Sequence, residues 1–267
     1  MIQRAFITEW RSRAPWPLDS QVEQDLILVR ALVDIYADEG IGNKVALRGG
    51  TALHKLFSGV PERYSEDIDL VQIEAGPIGP VMDLIRRRLD PWLGKSQWKQ
   101  GHGRVTLYYR FMSEMEPVTP MRLKLEINTR EHISVLGFVK RRFDLTSRWH
   151  SGSAEITTYE LEELLGTKLR ALYQRKKGRD LFDLWSASRH FSIDRERMVR
   201  CFQRYIEHDG LHVSRDQFEA NLRSKLADPD FGRDIEPLLA STVPWNQEAA
   251  AEYVLNEIVP LLPGERR

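Results

Sequence analysis

The sequence predicts an α/β (α+β) protein: strands and helices alternate in the first half, and helices make up the second. Three observations carry this. Apolar residues recur at helical spacing along Leu26, Leu28, Val29, Leu32, Val33, Ile35 and Tyr36. They alternate with polar residues in Arg122-Leu123-Lys124-Leu125-Glu126-Ile127-Asn128, as in a half-buried strand. After Gly152 the strand-like patterns stop and helical spacing takes over, so a lobe boundary is expected near Gly152.

Taken in order, Trp10 to Pro17 reads as an irregular lead-in, and Asp19 or Ser20 as the cap of a helix that stops near Gly40. Lys44 to Leu47 is a short strand ending in two glycines, and Thr51 to Phe57 a short helix broken by Gly59-Val60-Pro61. Ile68 to Ile73 continues a strand that begins with acidic residues. Gly76 to Pro80 is a loop, and Met82 to Leu93 a helix with a basic face at Arg86, Arg87 and Arg88. Strands follow at Val105–Met112 and Met121–Asn128, joined by a turn over 114–120. Helices are expected over 159–174, 179–188, 195–207, 214–226 and 247–262.

The chain has 267 residues, 42% of them hydrophobic and 29% charged, which is ample for a sizeable core. Its formal net charge of zero argues against broad, sequence-blind gripping of a nucleic-acid duplex, yet leaves room for a local basic patch on one RNA end. One cysteine, Cys201, excludes an internal disulfide and a cysteine zinc site and fits a reducing cytoplasm. No apolar run approaches the ~20 residues that span a bilayer. Met1-Ile2-Gln3-Arg4 is not followed by an apolar h-region, so neither membrane nor signal peptide is expected. There is no internal repeat and no low-complexity tract.

The chemistry centres on Gly49-Gly50-Thr51 and Ser65-Glu66-Asp67-Ile68-Asp69-Leu70. Residues i and i+2 of a strand point to one face, so Asp67 and Asp69 present their carboxylates together. Two carboxylates that close repel unless a cation lies between them, and a divalent metal meets that need. Backbone N–H groups of a glycine turn opening a helix can hold phosphate. These features describe a site for Mg²⁺, with two ions about 3.5–4 Å apart possible, and for a nucleoside triphosphate. Asp-x-Asp alone reads more readily as the solvated face of a sheet; the glycine pair upstream reverses that preference and favours the site.

Glu126, between apolar neighbours, is a third candidate carboxylate. On an antiparallel neighbour strand it would face the aspartate pair as metal ligand or general base; otherwise it pairs with Lys124 on an exposed face. Leu161, Leu164, Leu165, Leu169 and Leu172 form an apolar stripe with Lys168 at its edge. Gly178 then breaks the chain before a helix with Asp180 and Asp183 in its first turns. Lys168 can reach triphosphate oxygens as a point charge. The basic cluster Arg175-Lys176-Lys177-Arg179 reads as a helix C-terminal complement, with Asp180 as a cap or ion-pair partner. The seven histidines show no metal-ligand spacing. Lys140-Arg141-Arg142 reads as a solvated face, and Trp92 and Trp98 as core or lobe-interface residues. Serine-hydrolase and P-loop signatures are absent.

Four segments together resemble the AbiEii toxins, also called MenT-like, of the DNA polymerase β-like nucleotidyltransferase superfamily. They are Leu47-Arg48-Gly49-Gly50-Thr51-Ala52-Leu53, Arg63-Tyr64-Ser65-Glu66-Asp67-Ile68-Asp69-Leu70, Leu125-Glu126-Ile127-Asn128, and Lys168-Leu169-Arg170-Ala171-Leu172 with Arg175 to Asp183. The glycine and Asp-x-Asp pieces belong to the whole superfamily; the combination with Lys168 and Gly178-Arg179-Asp180-Leu181-Phe182-Asp183 is more specific. The resemblance implies a polymerase β-like lobe with a mixed sheet over 1–152. It also implies a helical lobe over 153–267 that contributes Lys168 and Asp180 to an interlobe site. Ser65 and Asp67 match a Ser-x-Asp element for phosphate contact and metal binding, and Asp69 the second metal carboxylate. Lys168 matches the triphosphate lysine and Asp180 the essential aspartate of the last motif. Thr51 stands where many members have serine, keeping the hydroxyl.

The function implied is that of a cytoplasmic toxin from a type IV-like toxin–antitoxin or phage-exclusion module, with a cognate antitoxin as partner. It would transfer nucleotides from a triphosphate, with Mg²⁺, to an RNA 3′ end such as the tRNA acceptor end, and so block translation. Two alternatives stay open: transfer onto a protein hydroxyl or a small molecule such as an antibiotic, and a non-catalytic binding module on the same fold. Beyond residue 190 no resemblance is seen.

Overall fold

The computed structural model describes residues 2–264. Among these, seven strands form one mixed sheet: β1 (Val45–Arg48), β2 (Asp67–Gln72), β3 (Gln97–Gly101), β4 (Arg104–Met112), β5 (Pro120–Asn128), β6 (Phe138–Thr146) and β7 (Ser151–Tyr159). Their order across the sheet is β3-β4-β5-β2-β1-β7-β6. β2 runs antiparallel to β1 and parallel to β5, and β1 runs parallel to β7. The remaining pairs, β3–β4, β4–β5 and β6–β7, are antiparallel.

The chain divides into two units. One holds residues up to Ser134 together with Phe138–Tyr159; the other holds Val135–Gly137 and the residues from Glu160 on. The boundary therefore lies later than Gly152. Ser151-Gly152-Ser153 has the composition of a loop, yet it opens β7, whose Gly152 pairs with Leu145 of β6.

In the first unit the helices are α1 (Arg4–Trp10), α2 (Asp19–Tyr36), α3 (Glu39–Gly42), α4 (Gly49–Ala52) and α5 (Gly79–Leu93). α4 continues into one wide π turn over Leu53–Phe57. Helix α2 packs on β2, β5, β6 and β7. It buries Leu26, Ile27, Leu28, Val29, Leu32 and Val33, so nearly its whole circumference is enclosed. α1 precedes the irregular lead-in, which, as expected, runs without regular structure from the end of α1 at Trp10 to Pro17. Trp10 and Trp16 each donate an indole N–H to Asp25 of α2, at 2.9 and 3.1 Å, and Lys55 completes that buried carboxylate's shell at 2.5 Å. Asp19 is not the cap of α2: it lies in the first turn and pairs with Arg11, while the Leu18 N–H donates to Gln21 Oε1 at 3.2 Å.

The sheet's two faces differ. Val105, Leu107 and Tyr109 of β4, Leu123, Leu125 and Ile127 of β5, and Ile68 and Leu70 of β2 are buried on one face. Tyr109 on that face donates its hydroxyl to Asp90 of α5 at 2.9 Å, which locates the helix layer. The alternate residues, with period 2, form the other face, and Asp67 and Asp69 lie there.

In the second unit the helices are α6 (Leu161–Gln174), α7 (Gly178–His190), α8 (Arg195–His208), α9 (Arg215–Leu226) and α10 (Gln247–Tyr253). α10 runs on as a π turn over Val254–Ile258 and a 3₁₀ turn over Val259–Leu261. Leu164, Leu165, Leu169 and Leu172 are buried, as the stripe predicts. Glu163, fully buried, accepts the Tyr205 hydroxyl at 2.7 Å and the N–H groups of Val135 and Leu136 at 2.7 and 2.8 Å; this ties residues 135–137 to the helical unit. Cys201 is buried in α8, and its surroundings push the thiol up to about 12 by desolvation, so it is chemically quiet.

Candidate active site

β2 ends its neighbour relations in a register that assembles the acidic cluster. Asp69 stands opposite Glu126 on one side and Arg48 on the other, and Asp67 stands opposite Lys124. Cross-strand partners share a face, so Asp67, Asp69, Lys124, Glu126 and Arg48 all project from the side away from α2 and α5. Glu126 thus faces the aspartate pair as expected, but from a parallel strand and not an antiparallel one. Parallel pairing requires a long connection between the two strands, and α5, β3 and β4 supply it.

Gly49 begins α4 with φ of +77°, a left-handed conformation that favours glycine. A Cβ there would lie 2.7 Å from Asp69 Oδ2. At Gly50 a Cβ would overlap the guanidinium of Arg63, a buried residue whose Nη1 donates to the Tyr64 carbonyl at 3.0 Å. Both glycines are therefore places where backbone comes up against charged side chains, and the first lets the start of α4 sit against a carboxylate. Thr51 is buried; its hydroxyl donates to the Asp67 carbonyl at 2.6 Å and accepts from Ser65 Oγ at 2.8 Å. Thr51 and Ser65 thus anchor the start of β2 to the glycine turn.

Lys124 pairs with Glu126, as the alternative reading of that strand had it, and also with Asp67, a contact the sequence did not disclose. Its Nζ lies 3.2 Å from both Asp67 Oδ2 and Glu126 Oε2. Arg104 Nη1 lies 3.6 Å from Glu126 Oε1, and Arg48 pairs with Glu131 at 2.6 Å. The Asp67 carboxyl is held above the usual range by desolvation first and by Asp69 as well, against the lowering effect of Lys124. Desolvation lowers Lys124, but Asp67 and Glu126 together outweigh it and leave its ammonium above the usual value. The place of Lys124 beside Glu126 follows from strand period within β5, but only the register of β2 against β5 brings it to Asp67, and no short motif encodes a register.

Among the described residues no group of three or more His, Cys, Asp or Glu side chains is arranged as a metal cage. Lys124 instead bridges Asp67 and Glu126. The donor set nevertheless fits Mg²⁺, which is commonly held by one or two carboxylates with waters and substrate phosphates filling the other positions. Asp67 and Asp69, hard oxygen donors on one face beside the glycine turn, meet that requirement.

In the second unit the structure brings Lys168 and Asp180 together. Lys168 Nζ lies 2.7 Å from Asp183 and 3.4 Å from Asp180. Arg175, at the end of α6, closes a two-pronged pair on Asp180 at 2.6 and 2.7 Å. Both aspartates are wholly buried and Lys168 nearly so. Asp180 is thus an ion-pair partner of the basic cluster, the alternative that the helix pattern left open. Next to it, the Gly178 N–H donates to Asp234 at 2.7 Å, and Lys176 pairs with Asp228. Trp98, read as a core or interface residue, is 55% exposed on β3, while Trp92 packs edge-on against Trp149 at 5.6 Å.

Comparison with solved structures gives the fold its class, that of the nucleotidyltransferases. The structure matches MenT4, a nucleotidyltransferase toxin of Mycobacterium tuberculosis H37Rv, with a TM-score of 0.63 at 17% identity, over 96% of this chain and 99% of that one. A putative nucleotidyltransferase from H. pylori matches with a TM-score of 0.52 at 19% identity, over 91% and 95% of the two chains. The profile of the family described as nucleotidyl transferase AbiEii toxin, type IV toxin–antitoxin system, matches residues 30–253, and the chain belongs to that family. No curated protein sequence matches it. Among the described residues no helix is long and apolar enough to cross a membrane.

Proposed function

We propose that this family member transfers a nucleotide from a nucleoside triphosphate to an RNA 3′ end, the tRNA acceptor end above all, and so blocks translation until a cognate antitoxin restrains it. The supporting observation is the row Arg48–Asp69–Glu126 with Asp67 beside it, set against the Gly49-Gly50 turn. Asp67 and Asp69 would hold Mg²⁺, which when bound neutralises triphosphate charge and aligns the reacting groups. The glycine turn offers backbone N–H groups to the phosphates, and Ser65 and Thr51 keep β2 fixed beside it. The acceptor hydroxyl forms a bond to the α-phosphorus as the bond from that phosphorus to the bridging oxygen breaks, releasing pyrophosphate. Glu126 is assigned the hydroxyl's proton, and Lys124 beside it stabilises the ionised carboxylate between turnovers. Lys168 is assigned a triphosphate contact and Asp180 the task of holding it in place, the roles that family membership implies. The cytoplasm is the compartment this reading requires.

The test is incubation with each labelled nucleoside triphosphate, total tRNA and Mg²⁺. Label is expected on RNA, and Asp67→Ala or Asp69→Ala is expected to lower transfer at least about 10²-fold, the scale of losing a group that stabilises developing charge. Label on protein or on a small molecule would make the acceptor wrong while leaving the chemistry. Growth arrest that survives both substitutions would mean that the fold acts by binding alone.

A further inference from the structure

The face that carries Asp67 and Asp69 continues across β5, β4 and β3, with exposed or half-buried residues in every row and one buried residue, Thr106. Extending the register outward gives three cross-strand rows. One runs Gln97–Tyr108–Lys124–Asp67, the next Lys99–Thr106–Glu126–Asp69, and a third, on the other side of the first, is the pair Arg110–Arg122. Lys99, Arg104, Arg110 and Arg122 are exposed in the whole described chain, and Tyr108 is half-buried. Arg104 lies near Glu126; among the described residues Lys99, Arg110 and Arg122 have no carboxylate within ion-pair distance.

Arg110 and Arg122 are the informative pair. Like charges directly opposite each other on adjacent strands destabilise a sheet, and neither has an acidic neighbour to relieve it. The chain as a whole has equal numbers of acidic and basic residues, so a local excess here is a matter of placement. Beside the pair, the guanidinium of Arg122 lies 5.9 Å from the centre of the Tyr108 ring. Tyr108 is two strands from Asp67 in the same row, about 10 Å at ordinary strand spacing. Cations without partners next to an aromatic platform are what a single-stranded nucleic acid needs: charge for its backbone, a flat ring for a base.

We infer that this open face of β3, β4, β5 and β2 is the track for a single-stranded RNA end. Its backbone lies along Arg110 and Arg122, a base stacks on Tyr108, and its terminal hydroxyl is delivered to Asp67 and Asp69. The inference rests on the reading of RNA as acceptor and adds where that acceptor runs and why it is a frayed end and not a duplex. A duplex would find too few cations on a chain of zero net charge. Arg104 and Lys99 flank the second row and steer the end toward Glu126.

The test measures affinity of the full chain for a labelled single-stranded RNA oligonucleotide with a free 3′ hydroxyl, as a function of salt. Arg110→Gln with Arg122→Gln is expected to flatten the slope of log affinity against log salt by about 1.4, at ~0.7 for each phosphate no longer neutralised. Arg110→Lys with Arg122→Lys is expected to keep it. Tyr108→Ala is expected to weaken binding about tenfold and Tyr108→Phe hardly at all, since the ring and not the hydroxyl stacks. Arg110 and Arg122 are exposed and Tyr108 is half-buried, so folding is expected to survive the substitutions, and thermal melting checks that it does. If the wild type binds RNA and all variants bind alike with the same slope, RNA is the acceptor but this face is not its track. If the wild type does not bind the oligonucleotide, the RNA reading itself fails and takes the track with it. Equal affinity of the wild type for duplex and single strand would overturn the stacking assignment.

Discussion

Gly49 shows how closely the candidate site depends on single residues. Its left-handed φ of +77° and the 2.7 Å that would separate an added Cβ from Asp69 Oδ2 act together. Alanine there carries the conformational penalty of about 1–2 kcal/mol for an L-residue in that region and pushes the Asp69 carboxylate, a proposed metal ligand, aside. Gly49→Ala is expected to lower the melting temperature modestly and nucleotide transfer far more, about 10²-fold, since displacements near 1 Å cost that much in aligned reactions. Gly59→Ala, where nothing lies within 4 Å, is the control and is expected to change neither. A melting loss without a transfer loss would remove Gly49 from the site. At this scale Asp67, Asp69 and the glycines were legible because strand period and turn chemistry act over a few residues. The contact of Lys124 with Asp67 and the place of Arg48 opposite Asp69 were not, because they depend on which strands pair.

Elements with a half-buried face were legible for the same reason that they are stable. β2, β4, β5, α2 and the helices α5 to α9 each bury one set of side chains, and that leaves a period in the sequence. The three strands that escaped notice lack it. All five residues of β3 are exposed. β6 carries Lys140-Arg141-Arg142 through its middle and is held by pairing with β7, while β7 opens with Ser-Gly-Ser and is held between β1 and β6. The edge strands β3 and β6 owe their existence to a neighbour's hydrogen bonds. The helix expected to run to Gly40 instead ends at Tyr36, and Asp38, through the Gly40 N–H at 2.9 Å, starts a new short one.

Helix ends likewise draw on distant residues. The last turn of α6 leaves carbonyls without intrahelical partners, and Lys225 of α9 donates to two of them, Leu172 and, at 2.6 Å, Tyr173. Burial lowers this lysine from 10.5 to about 8. Between those values the unfolded chain holds a proton that the folded chain does not, so stability rises as pH rises through that window and is lost as pH falls through about 8. The gain amounts to roughly 3 kcal/mol at most. Denaturant unfolding of the wild type at pH 7.5 and pH 10 is expected to show this rise, and Lys225→Met, which keeps the stem and removes the proton, is expected to lack its share. Parallel pH curves for the two proteins would refute the assignment.

Across the whole molecule, the sequence announced two halves but misplaced their border, since a border is a property of contacts and β7 belongs to the sheet despite its loop-like start. Zero net charge has a further consequence at this scale. With no overall field to draw in a polyanion, the proposed reaction requires tight binding of nucleoside triphosphate to depend on a divalent ion, for which Asp67 and Asp69 are the proposed ligands. A ligand present at 100 times its dissociation constant stabilises the folded state by about 2.7 kcal/mol, which for a unit of this size raises the melting temperature by roughly 5–10 °C. Mg²⁺ with nucleoside triphosphate is expected to produce such a shift, and EDTA to abolish most of it. Asp67→Asn with Asp69→Asn keeps the side-chain shape, removes the charge, and is expected to show no Mg²⁺-dependent shift at all. If the double variant were stabilised by Mg²⁺ and triphosphate as strongly as the wild type, the metal would have to be held elsewhere, and the acidic row on β2 would lose its role in the reaction.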